Sequence, residues 1–493
     1  MARATKEIDL LLVNPSDRKL YQGLETSIAG IEPPFWAGLI ASFIRSHGYE
    51  VAILDADVEN LSAGETADRV AQHSPLLTAV IAQGSAPATS STPKMAPTGD
   101  FLRTLKTIAP NLKTILGGIH PSSLPERTLR EESVDYVYQG EGFHTILELL
   151  KFLESTTIAD PLIDGLWYIR NRHTVSRLRP KLLPEEDLPA VAWDLLDMTK
   201  YRAHNWHCLD NLESRSPYGL IYTSLGCPYN CHFCNIHQMY LGTKPSIRYR
   251  KPEGVVEEID LLVNRYGIRN IKVMDELFTL KRDYVMHLCD LIIGRSYDLN
   301  IWAYGRVGLI DYEMLKKMKR AGINWVCYGF ESASKSVRRG VGKKFGQGPM
   351  TRTMLMTRDI GINIQANFIF GLPDDSYKTM TETLSLAEAY NFEWVNFYCN
   401  CAYPGTKLYD DAIKNGATLP EPWADYGQYS EGFLPLPTKH LSSDEVLRFR
   451  DNAFKKYFTN PRYLGMIERK FGEKAVLHIK GMLEHEIRRK WLS

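Results

Sequence analysis

The sequence has no long apolar run. Near its start the longest apolar stretch is Trp36–Ile44, far short of the ~20 residues a membrane-spanning helix needs, so no membrane span is expected. Met1–Asp9 is charged and lacks the apolar segment of a secretory signal. An excess of charge of one sign is also missing: 59 Lys and Arg stand against 58 Asp and Glu in 493 residues. That balance argues against a protein that holds nucleic acid through bulk electrostatics, and no nucleic-acid partner is expected. Cysteine is scarce, with eight residues, which excludes a disulfide scaffold and fits a reducing, cytoplasmic setting. With 44% hydrophobic and 24% charged residues the chain is neither disordered nor fibrous. At roughly 150 residues per domain its length suggests about two to four domains.

What is present is a rhythm of short apolar runs and amphipathic stretches. In the first ~150 residues, strands are expected at Asp9–Asn14, Val51–Asp55, Thr78–Ala82, Thr114–Leu116 and Tyr136–Tyr138, with helices at Pro34–Gly48, Asp100–Ile108 and Phe143–Leu153. Strands alternating with helices imply right-handed βαβ units and a parallel sheet. Five such strands suit a doubly wound, flavodoxin-like (Rossmann-type) α/β domain over residues 1–155. Its ligands would bind beyond the carboxyl ends of the strands, at Asn14–Ser16, Asp55–Asp57, Gln83–Ser85, Gly117–His120 and Gly140–Gly142. Gly84–Gly99, rich in Ser, Thr, Pro and Ala, reads as a long loop. Residues 156–215 lose the rhythm to prolines and charges and read as a small hairpin at Gly165–Leu178 followed by a linker.

A second series spans residues 216–410. Its strands are expected at Leu220–Ser224, Asn270–Met274, Asn300–Tyr304, Trp325–Phe330, Asn363–Phe370 and Trp394–Tyr398. A helix over Lys251–Tyr266 has Pro252 near its first position and stops at Gly267, and Asp311 is placed to cap another that ends at Gly322. Six β/α units are two short of a closed barrel, so the expectation is a partial, TIM-like (β/α)6 barrel with its site at the carboxyl ends of the strands. Residues 411–493 form a C-terminal region whose tail, from Ser442, is helical and charged. The aromatics between Tyr398 and Phe433 would either close over a substrate or pack this tail on the barrel, and Cys399 and Cys401 read as buried neighbours.

Three of the eight cysteines lie within eight residues, Cys227-Pro-Tyr-Asn-Cys231-His-Phe-Cys234, directly after the first strand of this series. Thiolates at C-x3-C-x2-C spacing in a tight loop can wrap one compact metal centre. Iron–sulfur clusters usually take four cysteines, so three on a four-iron cubane would leave one iron open to a substrate or cofactor. Two other readings stand beside this one: structural zinc, with His232 or His237 as a fourth ligand, and an inert buried cysteine group.

The loop, with Phe233 just before the third cysteine, resembles the cluster loop of the radical S-adenosylmethionine (SAM) enzymes, and the likeness extends over the whole second series. It implies a [4Fe-4S] cluster on Cys227, Cys231 and Cys234, whose open iron chelates SAM and whose electron, delivered by a flavodoxin- or ferredoxin-type donor, generates a 5′-deoxyadenosyl radical. It also implies SAM contacts from Asp275 and Glu276 after the second strand, Arg306 after the third, Glu331 after the fourth and Gly371 after the fifth. Arg248 and Arg250 would neutralise cluster or carboxylate charge.

A flavodoxin-like domain ahead of such a barrel resembles the cobalamin-binding subclass. Leu116–Glu126, Tyr138–Gly142 and Pro33–Trp36 carry this likeness. It implies corrin or nucleotide-tail contacts from Asn14, Ser16, Gln83, Ser85, Gly117, Gly118, His120, Gly140 and Glu141. The chain departs from the Asp-x-His-x-x-Gly loop of cobalamin mutases: after the second strand it reads Asp55-Ala-Asp57-Val-Glu-Asn-Leu, so cobalamin would be held without that histidine as lower ligand. The resemblance implies a methyltransferase acting on an unactivated carbon of a small organic substrate of the natural-product kind. An oxidative cyclase of the porphyrin type fits the same architecture. A reading of another class is a noncatalytic cobalamin- or cluster-binding partner.

Overall fold

A computed structural model describes residues 8–24, 28–84, 87–155, 160–240 and 247–492. Two sheets organise the chain. The first contains β1 (Leu10–Asn14), β2 (Val51–Asp55), β3 (Leu77–Ile81), β4 (Thr114–Gly117), β5 (Tyr136–Tyr138), β6 (Leu166–Arg170) and β7 (His173–Ser176), in the order β2-β1-β3-β4-β5-β6-β7. Strands β1 to β5 are parallel. Their continuous apolar runs follow from cover on both faces; every residue of β1 and β3 is buried. The order is flavodoxin-like, and the strand order reverses between β1 and β3, where such sheets open a crevice.

The hairpin expected at Gly165–Leu178 forms as β6 and β7, and it extends the first sheet by pairing antiparallel with β5 (Val137 opposite Trp167). One expectation about this half is corrected. The stretch Gly84–Gly99 is largely not a loop: a helix runs over Pro87–Ile108 despite Pro93 and Pro97. Tertiary cover explains it, since Ser91, Thr92, Met95 and Thr98 are buried and the segment Trp423–Tyr426 packs on the helix. Local composition cannot report that cover. The rest of the 156–215 segment fills the seam between the two halves. Tyr201 donates to Asp55 at 2.9 Å, and the Trp193 indole donates to Glu258 at 2.8 Å.

Beyond the seam come β8 (Tyr218–Ile221), β9 (Ser224–Gly226), β10 (Ile247–Tyr249), β11 (Asn270–Val273), β12 (Asn300–Gly305), β13 (Ile323–Glu331), β14 (Asn363–Phe370) and β15 (Trp394–Cys399). Six of them form a parallel sheet, β15-β14-β13-β12-β11-β8, with β15 and β8 at opposite edges, which is an open barrel. The expected first strand is split, because Thr223 and Ser224 turn to bond Asp275 and the chain continues as β9, antiparallel to β10. Pro252 starts the helix Pro252–Tyr266, and Gly267, at φ +66°, ends it. The Asp311 carboxylate caps the helix Tyr312–Arg320 by accepting from the Met314 N–H at 2.8 Å. The tail forms helices Ser443–Phe458, Pro461–Phe471 and Glu473–Leu483, anchored by Tyr457, whose hydroxyl donates to the Phe392 carbonyl at 2.7 Å. Among the described residues no helix is long and apolar enough to cross a membrane.

Candidate functional site

At the carboxyl end of the barrel, a cavity of about 310 Å³ is lined by Cys227, Cys231 and Cys234 together with Asp275, Glu276, Arg306 and Glu331. The cysteine loop leaves β9 at Gly226, whose φ of +107° suits glycine. It is pinned on both sides: the Gly226 N–H donates to Glu276 at 3.0 Å, and the His232 N–H to the Val341 carbonyl at 3.1 Å. Burial pushes the Cys227 thiol up to about 11 and the Cys234 thiol to about 12, so metal loading must displace protons from both. The zinc reading finds little support. Neither His232 nor His237 lines the cavity; the His237 ring donates to the Tyr229 carbonyl at 2.7 Å. Among the described residues no three His, Cys, Asp or Glu side chains are grouped to hold a single ion.

The expected SAM contacts divide. Asp275 is 1% exposed and already accepts from the Thr223 N–H at 2.6 Å, the Ser224 hydroxyl at 2.7 Å and the Thr223 hydroxyl. These fill three of a carboxylate's roughly four acceptor sites, so its chief work is to hold the strand that leads to the cysteines. Glu276 accepts from Gly226 and, at 2.6 Å, from the Tyr240 hydroxyl, and burial pushes its carboxyl up to about 7. Glu331 sits at φ +62° beside a register shift in β13 and pairs with Lys343. A left-handed glutamate costs of order 1–3 kcal/mol and marks functional ground more often than chance. The Arg306 guanidinium lies 3.6 Å from the Tyr229 ring centre. Gly371 does not line the cavity: it takes φ +81°, and a Cβ there would lie 2.5 Å from Val446, so the glycine serves the docking of the C-terminal helix. Arg248 and Arg250 do not reach the cavity either. Arg250 pairs with Glu258 at 2.6 Å, and Arg248 pairs with Glu141.

A second cavity, of about 320 Å³, lies between the β1 and β3 ends and the barrel interior, with Asn14, Gln83 and Gly84 on one side and Lys272, Trp302, Gln365 and Asn396 on the other. Asn14 donates to Asp55 at 2.7 Å. Gln83 is 6% exposed, and neither of its amide atoms has a hydrogen-bond partner. The other contacts expected on this side are not on the wall. Ser16 donates to Asp57 at 3.2 Å, and Ser85 lies outside the described residues. A Cβ on Gly117 would lie 1.8 Å from the Tyr138 ring, and one on Gly118 2.5 Å from the Ala82 carbonyl oxygen. His120 is buried edge-on to Trp423, with ring centres 4.4 Å apart, and burial pushes it down to about 3, which keeps it neutral. The Gly140 N–H donates to the Ser122 hydroxyl at 2.9 Å. Glu141 is held at the seam by Arg248. These loops close because aromatic and ionic partners from distant sequence fill them. His204, which does line the cavity, accepts at Nδ1 from the Gly30 N–H at 3.1 Å.

Three residues, Tyr304, Tyr398 and Gln428, line both cavities. The two chambers therefore adjoin and share part of their walls. The expectation did not include Lys343, Tyr304, Asn367, Asn400 or Gln428. Most of these lie on strand ends or on segments after strand ends that the sequence did locate, but no spacing motif marks them. Cys399 and Cys401 are buried as expected, and both face the cysteine cavity.

Comparison with known proteins places two family models on the chain: the B12 binding domain over residues 21–150 and the radical SAM superfamily over residues 221–387. An uncharacterized methyltransferase of Pyrococcus horikoshii is 27% identical over 93% of this chain and 94% of its own length. An anaerobic magnesium-protoporphyrin IX monomethyl ester cyclase of Rubrivivax gelatinosus is 26% identical over 92% of this chain and 78% of its own. Among solved structures, the radical SAM methyltransferase TsrM of Kitasatospora setae, with tryptophan and a SAM analogue bound, shares the fold with a TM-score of 0.67 over 96% of this chain and 98% of that one, at 17% identity.

Proposed function

The chain belongs to the cobalamin-binding radical SAM enzymes, and from that premise we propose that it is a cobalamin-dependent radical SAM methyltransferase adding a methyl group to an unactivated carbon of a small organic substrate. The observation that carries this reading is the pair of adjoining cavities, one walled by three cysteines and the other at the switch point of the first sheet. The residues fit both groups. Three thiols on one cavity wall suit a cubane that keeps one iron open. The unpartnered amide of Gln83 suits the amide-fringed rim of a corrin, since a buried amide without a partner otherwise costs about 1–3 kcal/mol.

In this reading Cys227, Cys231 and Cys234 hold the [4Fe-4S] cluster. Glu276 and Glu331 would hold the SAM ammonium and Arg306 its carboxylate, by charge-assisted bonds. Asp275 and Tyr240 are positioning residues that keep the cysteine strand and Glu276 in place. Asn14 and Gln83 would line the corrin side, and Asp55–Leu61 contains no histidine to offer it. When bound, the reduced cluster with SAM supplies the hydrogen-abstracting radical and the corrinoid supplies the methyl group. Tyr304, Tyr398 and Gln428, which line both cavities, would stand between the cluster side and the corrinoid side. An electron donor of flavodoxin or ferredoxin type completes the system.

The test is anaerobic turnover of the fully loaded enzyme with trideuteromethyl SAM and a small-molecule extract. Methyl transfer predicts equal amounts of 5′-deoxyadenosine and S-adenosylhomocysteine, and a product carrying the label. The likeness to the Rubrivivax cyclase supports a second reading, an oxidative ring closure, which would yield 5′-deoxyadenosine without S-adenosylhomocysteine.

A further inference from the structure

The stretch after β13 is rich in cations. Between Glu331 and Asp359 the chain carries seven Lys and Arg and no Asp or Glu in 27 residues, in a molecule whose charges otherwise balance. Arg338 and Lys343 turn inward: Arg338 is buried and donates to the Ser332 and Phe345 carbonyls, and Lys343 pairs with Glu331. Lys335, Arg339 and Lys344 are exposed and form no ion pair among the described residues. Glu331 and Asp374, which border the segment, are both paired, Asp374 with Lys439. The segment lies directly on the cysteine loop. The His232 N–H donates to the Val341 carbonyl at 3.1 Å, a Cβ on Gly342 would lie 3.1 Å from the Asn230 carbonyl oxygen, and Phe233 packs on Val337 and Val341. The loop itself reaches solvent here, with Pro228 and Asn230 exposed. Three unpaired cations therefore stand on a segment bonded to the cysteine loop where that loop comes to the surface.

We propose that Lys335, Arg339 and Lys344 form the docking surface for the protein that reduces the cluster, a small acidic one-electron carrier. This assignment rests on the reading that puts a cluster on Cys227, Cys231 and Cys234. In the docked pair the carrier gives up one electron and the cluster takes it; no bond is made or broken. Such transfer falls off steeply with distance, so the carrier must seat where the cysteine loop is nearest solvent. Outward cations beside that point draw in an acidic partner, raise the encounter rate and repel basic ones. Electron-transfer encounters use small interfaces, which the helix Lys335–Gly340 and the turn after it can supply. Arg338 and Lys343 are positioning residues that fix this segment against the loop.

The test is anaerobic stopped-flow reduction of the cluster-loaded full chain by reduced flavodoxin and by reduced ferredoxin. Photoreduced deazaflavin, a small neutral reductant, is the reference. Reversing all three charges, Lys335→Glu with Arg339→Glu and Lys344→Glu, should slow reduction by the carrier about ten-fold at low salt. Deazaflavin should reduce variant and wild type alike, with iron content unchanged. At about 1 M salt, where screening acts beyond ~3 Å, the carrier rates should converge. Reversing Arg265, Lys316 and Arg320 instead, exposed on the helices that lead into the amino ends of β11 and β13, should cost less than about two-fold. Carbodiimide cross-linking adds a readout without electron transfer: carrier carboxylates should join Lys335 and Lys344. A carrier rate that the triple reversal leaves unchanged overturns the assignment. So does an equal slowing in the second variant, which would reflect net charge alone, and so do cross-links confined to other lysines. A wild-type cluster that deazaflavin reduces and neither carrier does overturns it as well. If the triple reversal loses iron, Lys335→Ala with Lys344→Ala carries the same comparison. Failure of the underlying reading looks different: the wild-type chain would take up no cluster for any reductant to reduce.

Discussion

Both sheets end in loops on the carboxyl side of parallel strands, but they leave different room there. In the barrel the loops after β9, β11, β12, β13 and β15 all contribute to one cavity wall. In the first sheet the loops after β4 and β5 are filled: Tyr138 lies against Gly117, Trp423 against His120, and Arg248 holds Glu141. The β1 and β3 ends, at the switch point, face the open cavity. Strand order alone therefore nominates several loops, and tertiary partners decide which of them stay open.

The comparison breaks most sharply at the cysteines. Cys231→Ala is expected to abolish reductive SAM cleavage and to lower iron well below the ~four per chain of one cubane. Iron analysis and 5′-deoxyadenosine formation check it, and unchanged cleavage would remove the chemistry assigned to the barrel end.

Next comes the seam. Arg248→Ala leaves Glu141 buried and unpaired, which should destabilise the apo-protein by about 3–5 kcal/mol in chemical denaturation. Glu141→Gln in the same chain should restore part of that loss. Corrinoid affinity of the folded variant should stay close to wild type, because Glu141 is a seam residue; a large, selective loss of corrinoid affinity would return Glu141 to the cofactor.

Asp275→Asn tests the positioning role at the barrel end. It keeps the shape but removes the charge that accepts from Thr223 and Ser224. Loss of such a supporting partner typically costs 10–100-fold, and a decrease of that order in SAM cleavage is expected.

The smallest effect concerns Asp55, at the end of β2, which accepts from Asn14 beside the switch point. Burial, reinforced by Asp57, pushes the Asp55 carboxyl up from 3.8 to about 6. Above pH 3.8 the folded state holds a proton that the unfolded state has lost, so stability falls as pH rises to about 6 and then levels. Asp55→Asn should remove about 1 kcal/mol of that fall between pH 5 and pH 6. An unchanged pH profile would mean that its bonds to Asn14 and Tyr201 outweigh the cost of burial.

The fold was legible where burial is symmetrical. Val51–Asp55 and Tyr136–Tyr138 are short, mainly apolar runs, Asn363–Phe370 alternates polar and apolar residues over most of its length, and each is a strand over those same residues. The cysteine loop was legible because ligands close in sequence need no distant partner. What stayed hidden depends on long-range pairing. Arg248 and Glu141 lie 107 residues apart, and Lys343 reaches Glu331 only through the turn after the helix Lys335–Gly340. The helix over Pro87–Ile108 owes its burial to a segment more than three hundred residues further on.

The central claim is that the two cofactor chambers share a wall. It is tested most directly by electron paramagnetic resonance of the anaerobic enzyme loaded with both cob(II)alamin and the reduced cluster. The shared residues Tyr304, Tyr398 and Gln428 predict a spectrum split or broadened by coupling between the two spins. A spectrum equal to the sum of those from protein loaded with each cofactor alone would contradict the account.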